Sequence, residues 1–334
     1  MAALLDVRDL SIAFPRATPV RGLSLTVEAG ETVALVGESG SGKSLTALAL
    51  LRLLPDRARI AGGEVLFGGR DLARLGDREL RLVRGQDIAM VFQEPMTSLN
   101  PVLSVGAQIM EVVRLHQGLS RRAARARAVE LLDLVRIPEP QRRVDEYPHE
   151  LSGGMRQRVM IAIAVACAPR LLIADEPTTA LDVTIQAQVL DLLDALRRDL
   201  SMGLLLITHD LGVVAEWADR VAVMYAGSKV EEAPFATLFG APLHPYTRGL
   251  LAASPRLDAV QHHSAGPLAE IRGSIASAAG EVGCAFAPRC PAARAACRAR
   301  VPDLVAVAPG HLVACPVTAP AALATEARHD ALVG

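Results

Sequence analysis

Gly37-Glu38-Ser39-Gly40-Ser41-Gly42-Lys43-Ser44 is the stretch that decides the fold of this chain. It has the pattern G-x-x-x-x-G-K-[ST], and its surroundings suit it. Residues 32–36 form a compact apolar run ahead of it, and residues 45–54 have helical character behind it. Strand, glycine-rich loop and helix in that order make a phosphate cradle. Glycines let the backbone turn its N–H groups toward phosphate oxygens, and the helix N-terminus adds a favourable dipole. In this reading Ser39, Gly40, Ser41 and Gly42 form the cradle, Lys43 neutralises β- and γ-phosphate charge, and Ser44 ligates Mg²⁺.

Further along, residues 170–174 and 203–208 are short apolar runs closed by polar residues, the expected form of strands buried in a mostly parallel sheet. The first run continues into Asp175-Glu176. Asp175 is placed to hold Mg²⁺, directly or through water, and Glu176, one residue on, to polarise an attacking water as general base. An apolar run ending in two carboxylates is a weak signal alone. Joined to the phosphate loop, it specifies a nucleoside triphosphatase. Before the loop, residues 1–30 alternate apolar and polar positions (Leu10, Ile12, Phe14, then Leu23, Leu25, Val27) and read as short antiparallel strands, so the class is α/β.

Residues 104–167 are dominated by helical periodicity interrupted at Pro138, Pro140 and Pro148, which predicts a helical insertion over about 95–167. Within it, Arg121, Arg122, Arg125 and Arg127 alternate with alanine and read as the solvated face of a helix. Past about residue 240 Pro, Ala and Gly rise and periodicity fades. The expected organisation is a main domain over 1–260, a separate extension over 261–317 and a disordered tail over 318–334.

A net charge of −1 supplies no global basic field, so nucleic acid is not an expected partner. The 51% hydrophobic content comes with only 3% aromatic residues, and the longest apolar stretch, 159–168, stops at Pro169-Arg170. That is well short of the roughly 18 to 20 residues needed to span a bilayer. The first residues lack a basic region followed by an apolar one, so no secretory signal is read and a cytoplasmic location is expected.

Leu151-Ser152-Gly153-Gly154-Met155-Arg156-Gln157-Arg158, just ahead of the carboxylate strand, resembles the signature sequence of ABC transporter ATPases. The resemblance implies a P-loop NTPase of the RecA-like type: an ABC nucleotide-binding domain with an antiparallel β subdomain, a helical insertion and a Cys-rich C-terminal extension, using ATP and Mg²⁺. It implies that Ser152, Gly153 and Gly154 bind the γ-phosphate of ATP held by an opposite subunit, another helix N-terminal anion site. Gln93, in Val91-Phe92-Gln93-Glu94-Pro95, matches the Q-loop glutamine that senses Mg²⁺ and attacking water and faces the permease. Asp182, in Ala180-Leu181-Asp182, matches the D-loop that crosses between subunits, and His209 matches the switch histidine that contacts the γ-phosphate. Phe14 is the candidate for stacking on adenine; as an apolar strand residue it reads equally as core.

Met96-Thr97-Ser98-Leu99-Asn100-Pro101, Pro177-Thr178-Thr179-Ala180-Leu181-Asp182-Val183-Thr184, and His244-Pro245-Tyr246-Thr247 followed by Leu250-Leu251 resemble the oligopeptide/dipeptide importer branch over about residues 4–316. That resemblance implies two transmembrane permease subunits, a second ATP-binding subunit that is often non-identical, and an extracytoplasmic peptide-binding protein acting indirectly. The chain would lie peripherally on the cytoplasmic face of the inner membrane. Competing readings are import of nickel or another small solute, a soluble non-transport ABC ATPase, and a redox-sensing module with a secondary ATPase.

Four of the five cysteines, Cys284, Cys290, Cys297 and Cys315, have the spacing C-x₅-C-x₆-C-x₁₇-C. In a reducing compartment disulfides explain them poorly, and spacing alone leaves a thiolate site for zinc or iron–sulfur. Gly283-Cys284-Ala285-Phe286-Ala287-Pro288-Arg289-Cys290-Pro291, with Pro309-Gly310-His311 before Cys315, resembles the extension of peptide importer ATPases, some of which hold a [4Fe–4S] cluster on four cysteines. The resemblance therefore implies such a cluster, with zinc as the alternative. Cys167 reads as a buried core residue.

Overall fold

The computed structural model describes residues 3–94, 98–179, 181–254 and 270–320. Pro95, Met96, Thr97 and Ala180, and residues 321–334 of the expected tail, lie outside the described residues. In chain order the strands are β1 Leu5–Phe14, β2 Ala17–Val27, β3 Thr32–Val36, β4 Arg59–Phe67, β5 Arg70–Asp71, β6 Ile88–Val91, β7 Leu171–Asp175, β8 Gly203–Thr208, β9 Arg220–Tyr225, β10 Ser228–Pro234, β11 Val305–Ala308 and β12 His311–Val313. The helices are α1 Lys43–Leu50, α2 Asp77–Val83, α3 Val105–Gln117, α4 Arg121–Leu134, α5 Pro140–Arg143, α6 Gly153–Val165, α7 Val183–Leu200, α8 Leu211–Trp217, α9 Phe235–Gly240, α10 Pro245–Ala253 and α11 Ala295–Ala299. Contacts gather them into two interleaved compact units. One comprises Met1–Asp6, Thr26–Thr32 and Leu66–Ile207; the other comprises Val7–Leu25, Val33–Val65 and Thr208–Gly334.

In the first unit β6, β7 and β8 are parallel neighbours, with Ile88 opposite Leu171 and Leu171 opposite Gly203. Every residue of β7 and β8 is buried, which explains why their sequences are unbroken apolar runs rather than alternating ones. The helices α3 to α6 lie between β6 and β7 in the chain. Ser104, Ser120 and Ser152 each cap a helix, accepting from Ala107, Ala123 and Met155 N–H. On α4 Ala124, Ala128, Leu131 and Leu132 are buried, while Arg121, Arg122 and Arg125 are exposed, as their pattern predicts. Helix α6 buries Val159, Met160, Ile161, Ala162 and Val165, and full burial of a large aliphatic side chain contributes roughly 1.5 to 3 kcal/mol. Cys167, expected to be buried, is only half-buried, because it lies just past the last turn of α6 rather than on its inner face.

In the second unit β3 runs parallel to β9, with Val33 opposite Arg220 and Val36 opposite Val223. Antiparallel pairing then continues through β10 to β12 and β11, while β2, β1 and β4 are successive neighbours in a second sheet. Residues 305–313 form two strands that prolong the sheet, Glu231 pairing with Val313, and Phe286 packs with Tyr225 and Tyr246 at centroid distances of 5.2 and 5.4 Å. Strands of four and three residues are too short to show a period in sequence. Ala319 is buried with Val307, Val313 and Cys315.

A buried carboxylate ties this region together. Glu231 on β10 is 0% exposed and accepts from the N–H of Leu243 at 2.7 Å, the N–H of His244 at 2.9 Å and Nε2 of His311 at 2.8 Å. A charge so deep is tolerated only when its lone pairs are filled this way. It fixes the entry to α10, which starts with Pro245 at a position where a missing N–H costs nothing.

Candidate nucleotide site

The phosphate loop lies in the second unit, between β3 and α1. Lys43 opens α1 and is buried, its Nζ donating to Gly37 O at 2.7 Å, Glu38 O at 3.1 Å and Ser41 Oγ at 3.5 Å. The ammonium is thus held within the curve of the loop. Gly42 has φ +101°, and a Cβ there would stand 2.7 Å from Pro19 O. Both conformation and space require glycine. The loop is tied down by Gly227 N–H donating to Ser41 O at 3.0 Å, and α1 by Thr46 Oγ1 donating to Gly42 O at 3.0 Å. Ser44, on the first turn of α1, is partly exposed. Phe14 is half-buried at the end of β1. His209 is exposed immediately after β8, and Asp210 caps α8 by accepting from Gly212 and Val213 N–H.

Asp175, Glu176 and Gln93 belong to the first unit. Asp175, the last residue of β7, is 4% exposed. Glu176 turns off the strand at φ +47°, a left-handed conformation that costs a non-glycine residue of the order of 1 kcal/mol or more. It is kept there by its own N–H donating to Ile207 O at 2.8 Å. Its Oε2 accepts from Gln93 Nε2 at 2.9 Å and from Thr179 Oγ1 at 3.0 Å. The predicted pair Gln93 and Glu176 therefore meet. Thr179 was missed: a threonine three residues past a carboxylate carries no signal until the turn that brings it back is known.

Ser152, Gly153 and Gly154 form the N-terminus of α6, with Ser152 Oγ accepting from Met155 N–H at 3.4 Å. They line a cleft of about 550 Å³ together with Arg158, Leu181 and Asp182. Asp182 caps α7, accepting from Ile185 N–H at 2.9 Å. Gly154 is needed for close approach, since a Cβ would lie 2.7 Å from Ile185 Cγ2. Arg158 donates to Arg136 O at 3.1 Å and Gln188 Oε1 at 2.8 Å; burial, then the charge of Arg136, lowers its pKa. A helix N-terminus and a guanidinium facing one cleft suit an anion.

Residues 20–179 match the ABC transporter family, and residues 230–297 match the oligopeptide/dipeptide transporter C-terminal region. A peptide ABC transporter ATP-binding protein of Sinorhizobium fredii is 53% identical over 318 residues, covering 93% of this chain and 94% of its own length. A peptide import ATP-binding protein of Brucella abortus is 53% identical over 324 residues, covering 96% of each. This chain belongs to the ATP-binding subunits of ABC peptide transporters. Among solved structures, the dimeric post-hydrolysis state of the ATP-binding cassette MJ0796, bound to ADP and Pi, matches with TM-score 0.62 at 28% identity over 69% of this chain and 98% of that one. The cbiO1 cassette of Clostridium perfringens, part of the transporter complex cbiONQ, matches with TM-score 0.62 at 26% identity over 72% and 92%. The subunit is accordingly an ATPase coupled to peptide import, using ATP and Mg²⁺ and working with transmembrane permease partners. None of its described helices is long and apolar enough to cross a membrane.

The four clustered cysteines of this transporter subunit are uncrosslinked. Cys297 and Cys315 are buried, and Cys284 N–H donates to Cys297 O at 2.7 Å. Burial above all pushes the Cys284 thiol up to about 11, and Cys315, Cys297 and Cys290 each push the same way. Burial likewise raises the Cys290 thiol, with Cys315 and Cys297 pushing the same way. Among the described residues, no three His, Cys, Asp or Glu side chains are grouped closely enough to hold a metal ion.

Proposed function

We propose that the subunit is one half of a composite ATPase in which Glu176 is the general base and Gln93 links it to the permease. The observation that carries this reading is the 2.9 Å hydrogen bond from Gln93 Nε2 to Glu176 Oε2. A loop residue that holds the base is positioned to report movement of a partner to the chemistry. In this reading Lys43 and the loop residues Ser39 to Gly42 bind the phosphates, Ser44, Asp175 and Gln93 serve Mg²⁺, His209 contacts the γ-phosphate and Phe14 stacks on adenine. Ser152, Gly153 and Gly154, with Asp182 beside them, serve the nucleotide of a second ATP-binding subunit, a sibling rather than a copy. The pair works on the cytoplasmic face of the inner membrane, under two permease subunits supplied by an external peptide-binding protein. Glu176→Gln tests the core of this reading. ATP binding is expected to persist while turnover falls about a hundredfold or more; unchanged hydrolysis overturns the assignment.

The cysteine set matches a thiolate-held cofactor in the kind of donor it offers. The Cys284 and Cys290 thiols, raised by burial and by the neighbouring cysteines, are relieved by a cation that favours thiolates. Cys284, Cys290, Cys297 and Cys315 are the proposed holders of a [4Fe–4S] cluster, with zinc as the competing occupant. Bound there, the group would cross-link a segment short of regular structure. Anaerobic purification followed by metal analysis decides: iron with broad absorption near roughly 400 nm supports the cluster, and colourless protein with zinc or no metal refutes it.

A further inference from the structure

We infer that Arg289, from the cysteine-bearing segment, is a positioning residue for the phosphate loop and sets nucleotide affinity through Glu38. The inference rests on reading residues 37–44 as that loop. Arg289 stands between Cys284 and Cys290 in sequence, yet its guanidinium forks onto the second residue of the loop: Nη1 donates to Glu38 Oε2 at 2.8 Å and Nη2 to Glu38 Oε1 at 3.1 Å. The other donors are engaged as well. Nη1 also reaches Tyr225 Oη at 3.3 Å, Nη2 reaches Ile271 O at 2.9 Å and Nε reaches Arg272 O at 2.9 Å. All five N–H groups of the guanidinium have acceptors, so its position is overdetermined. The side chain is 4% exposed and lies over the Tyr225 and Phe286 rings at 5.8 and 6.0 Å.

The chemistry gives this contact a purpose. A carboxylate in a loop built to receive phosphates repels them, and its side chain is still 26% exposed. A bidentate guanidinium cancels that charge and fixes where it points. The Glu38 backbone is held from the same direction, its N–H donating to Tyr246 Oη at 2.8 Å. Ile275 approaches the loop too, 3.9 Å from where a Cβ on Gly40 would sit. Residues 271–289 thus supply a scaffold and a counter-charge for the loop that the loop does not contain.

The test is an equilibrium titration of the full chain with Mg²⁺ and a fluorescent ATP analogue, competed with ATP. Arg289→Ala is expected to weaken ATP binding about tenfold, the size of losing a hydrogen-bonded charge partner. In the Glu38→Gln background the same substitution is expected to cost less than about threefold, because the charge it would expose is gone. Equal losses in the two backgrounds, or unchanged affinity, overturn the inference. Should Arg289→Ala fail to fold, Arg289→Lys serves: it keeps the charge without the fork, and a loss of about threefold relieved by Glu38→Gln is expected. Wild-type affinity in that variant refutes the proposal. Lys43→Ala separates the two levels of reading. If it leaves ATP binding intact, the phosphate-loop assignment fails; if it abolishes binding while the Arg289 variants bind normally, only the inference fails.

Discussion

Replacing Thr179 by valine removes one of the two donors seen on Glu176 Oε2 without changing the size of the side chain. The hydroxyl lies 3.0 Å from that oxygen and is partly buried, whereas the Gln93 amide, at 2.9 Å, is exposed. A hydrogen bond to a charged acceptor is worth roughly 1.5 to 3 kcal/mol, and the lower figure suits a site open to solvent on one side. Glu176 also sits at φ +47°, so its backbone has little preference of its own for this orientation and depends on such ties. About 1.5 kcal/mol in orienting the base corresponds to about a tenfold fall in kcat. Because the contact shown by Thr179 is to the base rather than to the phosphate-loop residues, the nucleotide Kd is expected to stay within about twofold. Steady-state ATP hydrolysis alongside equilibrium nucleotide binding measures both, and Thr179→Ser is expected to recover most of the rate. Wild-type kcat in Thr179→Val, or a serine variant as slow as the valine one, would refute the claim that this hydroxyl positions Glu176.

Glu231→Ala is expected to lower stability by about 3 to 5 kcal/mol in urea titrations, because it strands the buried donors on Leu243, His244 and His311, while Glu231→Gln keeps part of the network and should cost less. His244 provides a pH dependence. Burial depresses its pKa from 6.5 to about 3, so the unfolded chain binds the proton first, and stability present above pH 6.5 is lost as pH falls toward 3. The loss is about 2 kcal/mol at pH 5, and His244→Gln should flatten the pH 7 to 5 difference in unfolding free energy by that amount; an unaltered difference contradicts the assignment. Gly42→Ala combines φ +101° with a Cβ 2.7 Å from Pro19 O and should weaken ATP binding by at least about tenfold, with a stability cost of about 1 to 3 kcal/mol read by thermal unfolding.

What could be read in sequence was the chemistry carried by consecutive residues. The phosphate loop, the Asp175-Glu176 pair and the Ser152-Gly153-Gly154 turn act largely through backbone N–H groups and short side chains fixed by a local conformation, so a motif contains the whole device. Strand β8 was legible to the residue, because a strand covered on both faces must be apolar throughout. Helix α1 instead begins at Lys43, inside the motif itself, two residues ahead of the expected start. Strands β11 and β12 were invisible for a different reason: three or four residues cannot display a period, and what makes them strands is the edge offered by β10.

The side chains that hold the motifs in place were the part that could not be read. Thr179 is three residues from Glu176 but needs a turn to reach it, and Arg289 is 251 residues from Glu38. Glu38 shows the difference most sharply. In the pattern G-x-x-x-x-G-K-[ST] it occupies a position where any residue is allowed, and nothing adjacent explains a carboxylate among phosphate-binding amides. Its tolerance comes from the fold, which returns a guanidinium from the far end of the chain with all five donors committed. A free position in a motif is therefore free only of local constraint. The residue found there is constrained by whatever the distant chain sets against it, so exchanging Glu38 for the uncharged residue that the pattern permits would leave the Arg289 charge buried at 4% exposure without its carboxylate.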